Sequence, residues 1–245
     1  MSGELNIAAN IQMRMLPLTF PRFPEHKDID VWAKLRAARE VGGDFYDFFF
    51  LDETHFGFVI ADVSGKGAPT ALLMAVTKTL LKANAQDVTS PSIILERINN
   101  ELSENNDDCM FITLFFGIID VTTGELTYTN AGHNPPFILN ADGGVTILSK
   151  VHGPMVGVMH GINYEKEQIC LNIDSKIILY TDGVTEAFNN SNEAFGDERL
   201  LDYIEQSNKL GTKYLVNGIF DAVDRFAEGA EQSDDITSLF LSCLF

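Results

Sequence analysis

The chain has 245 residues, 17 of them Lys or Arg against 35 Asp or Glu, for a formal net charge of −18. That balance argues against a nucleic-acid or anionic-membrane binder, because either needs a basic face to displace counterions from phosphate. With 45% hydrophobic and 21% charged residues the sequence is a globular chain able to bury a sizeable core, not a disordered acidic one.

The acidic surplus has two readings that composition alone leaves open: solubilising charge, or carboxylates gathered to hold metal. Cys109, Cys170 and Cys243 are far apart and lack CxxC spacing, which gives neither a disulfide framework nor a zinc site and favours a reducing, cytoplasmic setting. No apolar run approaches the roughly 20 residues needed to span a bilayer, and the first residues lack a signal peptide's basic head and apolar middle. Met1-Ser2-Gly3 is compatible with an added start before an excised segment, which leaves room for an upstream sensor or membrane tether.

In chain order, Leu5–Leu16 carries apolar residues at helical spacing and is stopped by Pro17 and the Pro-rich TFPRFPEH. Two readings stand side by side, a coiled-coil transmitter from an upstream domain and a helix packed on its own core. Residues 1–28 are thus a lead-in helix and linker, and 29–245 read as one domain. Strands are expected at Ile29–Arg39, Asp44–Leu51 and His55–Asp62. Helices follow at Ala68–Ala85, with Leu72, Leu73, Val76, Leu80 and Leu81 as its apolar stripe, and at Ser90–Asn105, opened by Ser90 as N-cap and Pro91.

Met110–Ile119 (MFITLFFGII) is apolar almost throughout and reads as a strand buried on both faces. Shorter strands are expected at Leu126–Asn130, Pro136–Leu139, Val145–Leu148, Tyr164–Leu171 and Lys176–Thr181. Helices at Asp197–Gln206 and Thr212–Glu228 precede a last strand, Asp235–Leu244. Strands, a helix pair, more strands, another helix pair and a final strand make an α+β order. It is best met by a four-layer α-β-β-α sandwich, two antiparallel sheets flanked by helices. A doubly wound sheet needs a βαβ alternation that is missing.

Four aspartates sit at ends of apolar strand runs beside small or flexible residues: Asp44 in VGGDFYD, Asp62 in IADVSGKG, Asp182 in LYTDGVTEA and Asp234 in QSDDITSLFL. A lone Asp-Gly is more often a turn than a ligand. Four strand-terminal cases in one chain shift that weighting, because a carboxylate held rigidly at a sheet edge suits a hard cation. If the ends converge, the carboxylates' mutual repulsion calls for divalent ions, and oxygen-only donors favour Mg²⁺ or Mn²⁺ over zinc or copper.

VGGDFYDFF, ADVSGKGAPTALLMA, NAGHNPPFIL, YTDGVTEA and SDDITSLFL, in this order and spanning about Val41 to Leu241, closely resemble the PPM-type metal-dependent protein phosphatases, in particular the bacterial SpoIIE/RsbU branch. The set is far more specific than any member alone. The resemblance implies the α-β-β-α fold, two Mn²⁺ or Mg²⁺ ions per active site, and hydrolysis of phosphoserine or phosphothreonine by an activated water without a covalent enzyme intermediate. Carried over by position, it makes Asp62 the carboxylate shared by both ions and Val63 a backbone-carbonyl ligand. It makes Asp182 and Asp234 ligands of the other ion, and Asp44 a direct or water-mediated one. Asp235, Asp47 and Glu186 are supporting candidates, the last two more readily explained as solvated or structural.

His133 in AGHNPP invites a general-acid role, but its tight turn favours a structural one. The phosphate-binding arginine of eukaryotic relatives has only Arg36 and Arg39 as candidates here. Gly65-Lys66-Gly67 lacks the rest of a phosphate-binding loop and better serves a turn into the following helix. That helix and the next resemble the family's regulatory pair. The resemblance further implies a phosphorylated STAS-domain partner in a partner-switching pathway; separately, a homodimer is expected if the first helix is a transmitter. A catalytically silent phosphoprotein-binding module and a small-molecule phosphohydrolase are the rival functions.

Overall fold

The structure, a computed structural model, describes residues 2–20, 23–86, 90–104 and 106–244. The expected helix end at Asn105 and domain end at Phe245 lie outside the described residues. The elements are α1 (Ser2–Met15), β1 (Ile29–Arg36), β2 (Phe45–Phe50), β3 (His55–Val63), α2 (Ala68–Asn84), α3 (Pro91–Ser103), β4 (Ile112–Asp120) and β5 (Glu125–Ala131). After them come β6 (Phe137–Leu139), β7 (Val145–Ile147), β8 (Glu167–Cys170), β9 (Lys176–Tyr180), α4 (Asp182–Thr185), α5 (Gly196–Gln206), α6 (Thr212–Ala227) and β10 (Ile236–Cys243). They form two antiparallel five-stranded sheets with helices, the α+β class expected from the element order.

The chain divides into two compact units threaded alternately along the sequence. The first comprises Met1–Leu18, Arg39–His133 and Lys150–Leu171, and holds α1 to α3 with the sheet β2-β3-β4-β5-β8. Its middle strand β4 buries every residue from Leu114 to Ile119, as its unbroken apolar run predicts. Gly117 is required there, since a Cβ would overlap the Phe58 ring on the neighbouring strand. Helix α2 packs on β2 and β3, and α3 on β4 and β5.

The face of α2 is not the expected one. Thr70, Met74, Thr77, Lys78 and Leu81 are buried, whereas Leu72 is 70% exposed and Val76 48%. The helix is apolar on two sides. Leu72, Ala71 and Ala75 border a groove shared with Leu5, Ile11 and Met15 of α1, and the opposite side meets the sheet. Helix α1 is bound within this unit: the Gln12 carboxamide donates to Gly42 O (2.5 Å) and accepts from Gly42 N (3.1 Å). It nonetheless leaves Ile7 and Ile11 exposed.

The second unit comprises Thr19–Ala38, Asn134–Ser149 and Asn172–Phe245, and holds the sheet β1-β10-β9-β6-β7 with α4 to α6. All eight residues of β10 are buried, as suits a strand paired on both sides. Phe137, Tyr180, Phe240 and Ile236 meet Leu215, Ile219, Phe220 and Val223 of α6 in one core, with Phe137 and Tyr180 stacked at 5.5 Å. Burial pushes the Cys243 thiol up to about 12, so it stays protonated.

Several boundaries differ from expectation for identifiable reasons. The strand expected over Tyr164–Leu171 begins only at Glu167, because Tyr164 N donates to Glu96 on α3 (3.1 Å) and Glu165 N to His152 O (2.9 Å). Ser90 does precede α3, but its hydroxyl meets that of Ser92 (3.2 Å) and caps no backbone amide. The one-turn α4 was not anticipated; Thr181-Asp182-Gly183 reads as a turn at sequence level, and the turn continues through Thr185, whose hydroxyl donates to Asp182 O (3.2 Å).

Candidate functional site

In the first unit, Asp62 is the penultimate residue of β3, half-buried and opposite Thr113 on β4. The strand ends at Val63. Beyond it Ser64 N donates to Phe111 O, and the Ser64 hydroxyl accepts from Phe111 N, both at 2.9 Å. Asp44 is 2% exposed, just before β2, and is preceded by the two glycines of VGGD. The second is dictated by a close approach: a Cβ on Gly43 would stand 2.7 Å from Val63 O and overlap the Thr70 methyl. The structure thus brings the Asp44 loop against the Val63 carbonyl, two of the expected donors.

In the second unit, Asp182 opens α4 just past β9, and Asp234 lies just before β10. Thr181 N donates to Thr237 O (3.1 Å), and Thr237 N donates to the Thr181 hydroxyl (3.0 Å), which locks the two strand ends together. Gly183 lies directly on the Asp235 carbonyl, with no room for a Cβ. Asp182 and Asp234 are therefore neighbours through their own backbones. The Asp234 carboxylate accepts from Asp235 N (2.9 Å), and the Gln232 amide donates to both Asp234 O (2.7 Å) and Arg36 O (2.9 Å).

The donors so placed are carboxylates and one backbone carbonyl, an all-oxygen set that suits a hard divalent cation. They come as two groups, Asp44, Asp62 and the Val63 carbonyl in the first unit and Asp182 and Asp234 in the second. Among the described residues no three His, Cys, Asp or Glu side chains converge into a ready cation cage.

The supporting candidates divide clearly. Asp235 is 7% exposed and accepts from Ala38 N (2.8 Å), so it ties the start of β10 to the end of β1. Asp47 is structural: it is buried in an ion pair with Lys78, which joins β2 to α2. Sequence reading missed Lys78, although a lysine in register with Thr70, Met74 and Leu81 is a signal that it accompanies the buried face. Glu186 is exposed.

His133 is 4% exposed; its Nδ1 shares a hydrogen bond with the Thr113 hydroxyl (2.9 Å), its N–H donates to Asn130 Oδ1 (2.7 Å), and its carbonyl accepts from the Asn130 amide (3.0 Å). The turn is thereby fixed to the strand facing Asp62. Arg36 is engaged by Asp224 on α6 through contacts of 2.7 and 3.0 Å and lies over the Phe220 ring; that hydrogen bond holds the Asp224 carboxyl below its usual range. Arg39 is exposed in the first unit.

Comparison with known proteins identifies the family and the fold. The model of the family described as Stage II sporulation protein E (SpoIIE) matches residues 52–243. Protein IcfG of Synechocystis sp. is 32% identical over 266 residues, covering 96% of this chain and 41% of that protein. Phosphoserine phosphatase RsbU of Bacillus subtilis is 28% identical over 239 residues, covering 98% of this chain and 70% of RsbU. The chain therefore spans less than half the length of IcfG. Among solved structures, the SiaA-PP2C domain of Pseudomonas aeruginosa superposes with a TM-score of 0.86 at 18% identity, covering 100% of this chain and 96% of that one, a likeness of fold. With a family match over most of its length and these relatives beside it, the chain belongs to the SpoIIE family.

Proposed function

We propose that residues 29–245 form a metal-dependent protein phosphatase domain acting on phosphoserine or phosphothreonine in bacterial signalling, with 1–28 as a lead-in helix and linker. The observation that carries this reading is the two groups of oxygen donors at strand ends in a SpoIIE-family chain. The ligands proposed for Mg²⁺ or Mn²⁺, two ions in all, are those the sequence resemblance implies: Asp44, Asp62 and the Val63 carbonyl in the first unit, and Asp182 and Asp234 in the second. When bound, such ions neutralise phosphoryl charge and lower the pKa of water.

The chain's own residues supply the frame. Asp62 and Asp182 stand at the ends of strands buried on both faces, which fixes them without flexible linkers. Gly43 and Gly183 let backbones approach where any side chain would separate the donors. Thr113 holds the His133 ring at Nδ1 beside that frame.

The substrate in this proposal is a phosphorylated STAS-domain protein of a partner-switching pathway, supported by the similarity to a protein named phosphoserine phosphatase RsbU. Release of phosphate from a phosphoserine protein is expected with Mn²⁺ and is lost with EDTA. Activity that survives EDTA ends the two-metal reading, and binding without phosphate release would favour a silent module.

A cytoplasmic setting is part of the same proposal, supported by Cys109 and Cys170 standing exposed as thiols; no helix among the described residues is long and apolar enough to cross a membrane. A homodimer through α1 is proposed from Ile7 and Ile11, 62% and 60% exposed on that helix. Sedimentation is expected to give a dimer that Ile11→Glu dissociates, and a monomer at all concentrations would count against it.

A further inference from the structure

Within the second unit, a groove of about 410 Å³ opens beside Asp182. Its floor is apolar, formed by Phe137, Ile147 and Leu201, and Ile147 is 47% exposed although it lies on a sheet. Glu186, Asp197 and Glu198 stand around it together with Asp182, and among the described residues no Lys, Arg or His lines it. Asp197 is held in place by the Tyr180 hydroxyl, which donates to Oδ1 at 3.3 Å. Arg199, on the same helix turn as Glu198, forms no ion pair with the rim among the described residues. Its guanidinium donates to the carbonyls of Ala194 (3.1 Å) and Phe195 (2.8 Å) and covers the Phe226 ring at 4.7 Å. Neither Glu186 nor Glu198 has an ion-pair partner among the described residues.

A solvated acidic face would explain the carboxylates but not the concave apolar floor beneath them. An apolar floor under a ring of negative charge fits one kind of occupant, a Lys or Arg side chain whose aliphatic stem lies on the floor while its head reaches the rim. We propose that this groove receives a basic residue flanking the phosphorylated serine or threonine of the substrate protein. The inference rests on the proposed phosphatase reading, since Asp182 at the groove's edge is what sets the distance between the basic residue and the phosphoryl group. It specifies the substrate beyond the phosphate itself: the phosphosite carries a Lys or Arg within a few residues, and recognition weakens with salt.

The test compares two phosphoserine peptides that differ only in having Lys or Gln beside the phosphosite, with the full chain and Mn²⁺. The wild-type protein is expected to favour the lysine peptide about fivefold in kcat/KM, mostly through KM, the size that one or two rim charges can supply. Glu198→Lys should reverse the order, and Ile147→Ser should shrink the preference without reversing it. Equal turnover of both peptides by the wild type, or a preference that Glu198→Lys leaves intact, overturns the proposal. Fluorescence anisotropy with the unphosphorylated lysine peptide and EDTA-treated protein separates the two readings. Charge-dependent binding without any phosphate release keeps the groove and removes the phosphatase, while phosphate release without charge preference does the opposite.

Discussion

Asp62→Ala is expected to lower kcat for phosphate release by roughly 10³-fold or more, on the order of 4 kcal/mol of transition-state stabilisation, because the proposed shared ligand of both ions is lost. Folding should be almost untouched. Asp62 is half-buried at the end of β3, its backbone held by register with Thr113 and its neighbours by Ile112 and Phe111. Removing one carboxylate from a set of like charges does not by itself destabilise a sheet. The expected signature is therefore a dead enzyme with a thermal midpoint within about 3 °C of the wild type, a shift worth about 1 kcal/mol. Asp62→Asn, which keeps the shape and removes the charge, should be nearly as inactive. A variant that retains a tenth of the wild-type rate at saturating Mn²⁺ would remove Asp62 from the site.

Gly183→Ala is expected to damage stability and activity together. A Cβ at this position falls onto the carbonyl of Asp235, a backbone atom that cannot rotate away, so α4 and the start of β10 must separate. Overpacking of this kind costs about 3 kcal/mol, or a fall of roughly 6 to 12 °C in midpoint for a chain of this size. The separation also parts Asp182 from Asp234, so phosphate release should fall at temperatures where the variant is still folded. Gly211→Ala is the matched control: among the described residues nothing lies within 4 Å of a Cβ there, and its φ of −71° suits any residue. It should cost under about 1 kcal/mol as the loss of a glycine N-cap. A Gly183→Ala protein that melts with the wild type would mean that the two strand ends are not in contact.

Much of this arrangement is legible in the sequence because it depends on local pattern. The apolar run of β4 and the Pro17 stop after α1 each follow from a few adjacent residues, and so does the placing of aspartates at strand ends. What stays illegible depends on partners distant in the chain. Nothing local tells that Gly43 must admit the carbonyl of Val63, or that Gly183 must admit that of Asp235. The face of α2 was misjudged for a similar reason: leucine pattern marks an apolar side, but two apolar sides compete, and the one that carries Lys78 to Asp47 wins the sheet. The groove beside Asp182 draws on β6, β7 and α5, three elements that no sequence spacing relates.

The alternation of the chain between its two units has a consequence for biosynthesis. Among the described residues β1 is paired with β10 alone, so the strand made from residues 29–36 waits without that neighbour until residues 236–243 have left the ribosome. Among the described residues, the first unit has all its strands once Cys170 has emerged, whereas the second lacks a partner for both β1 and one edge of β9 until residues 236–243 follow. At about 5 to 20 residues per second this is an exposure of ten seconds or more. Ile29, Val31 and Ala33, buried in the finished protein, are the apolar residues left uncovered in that interval.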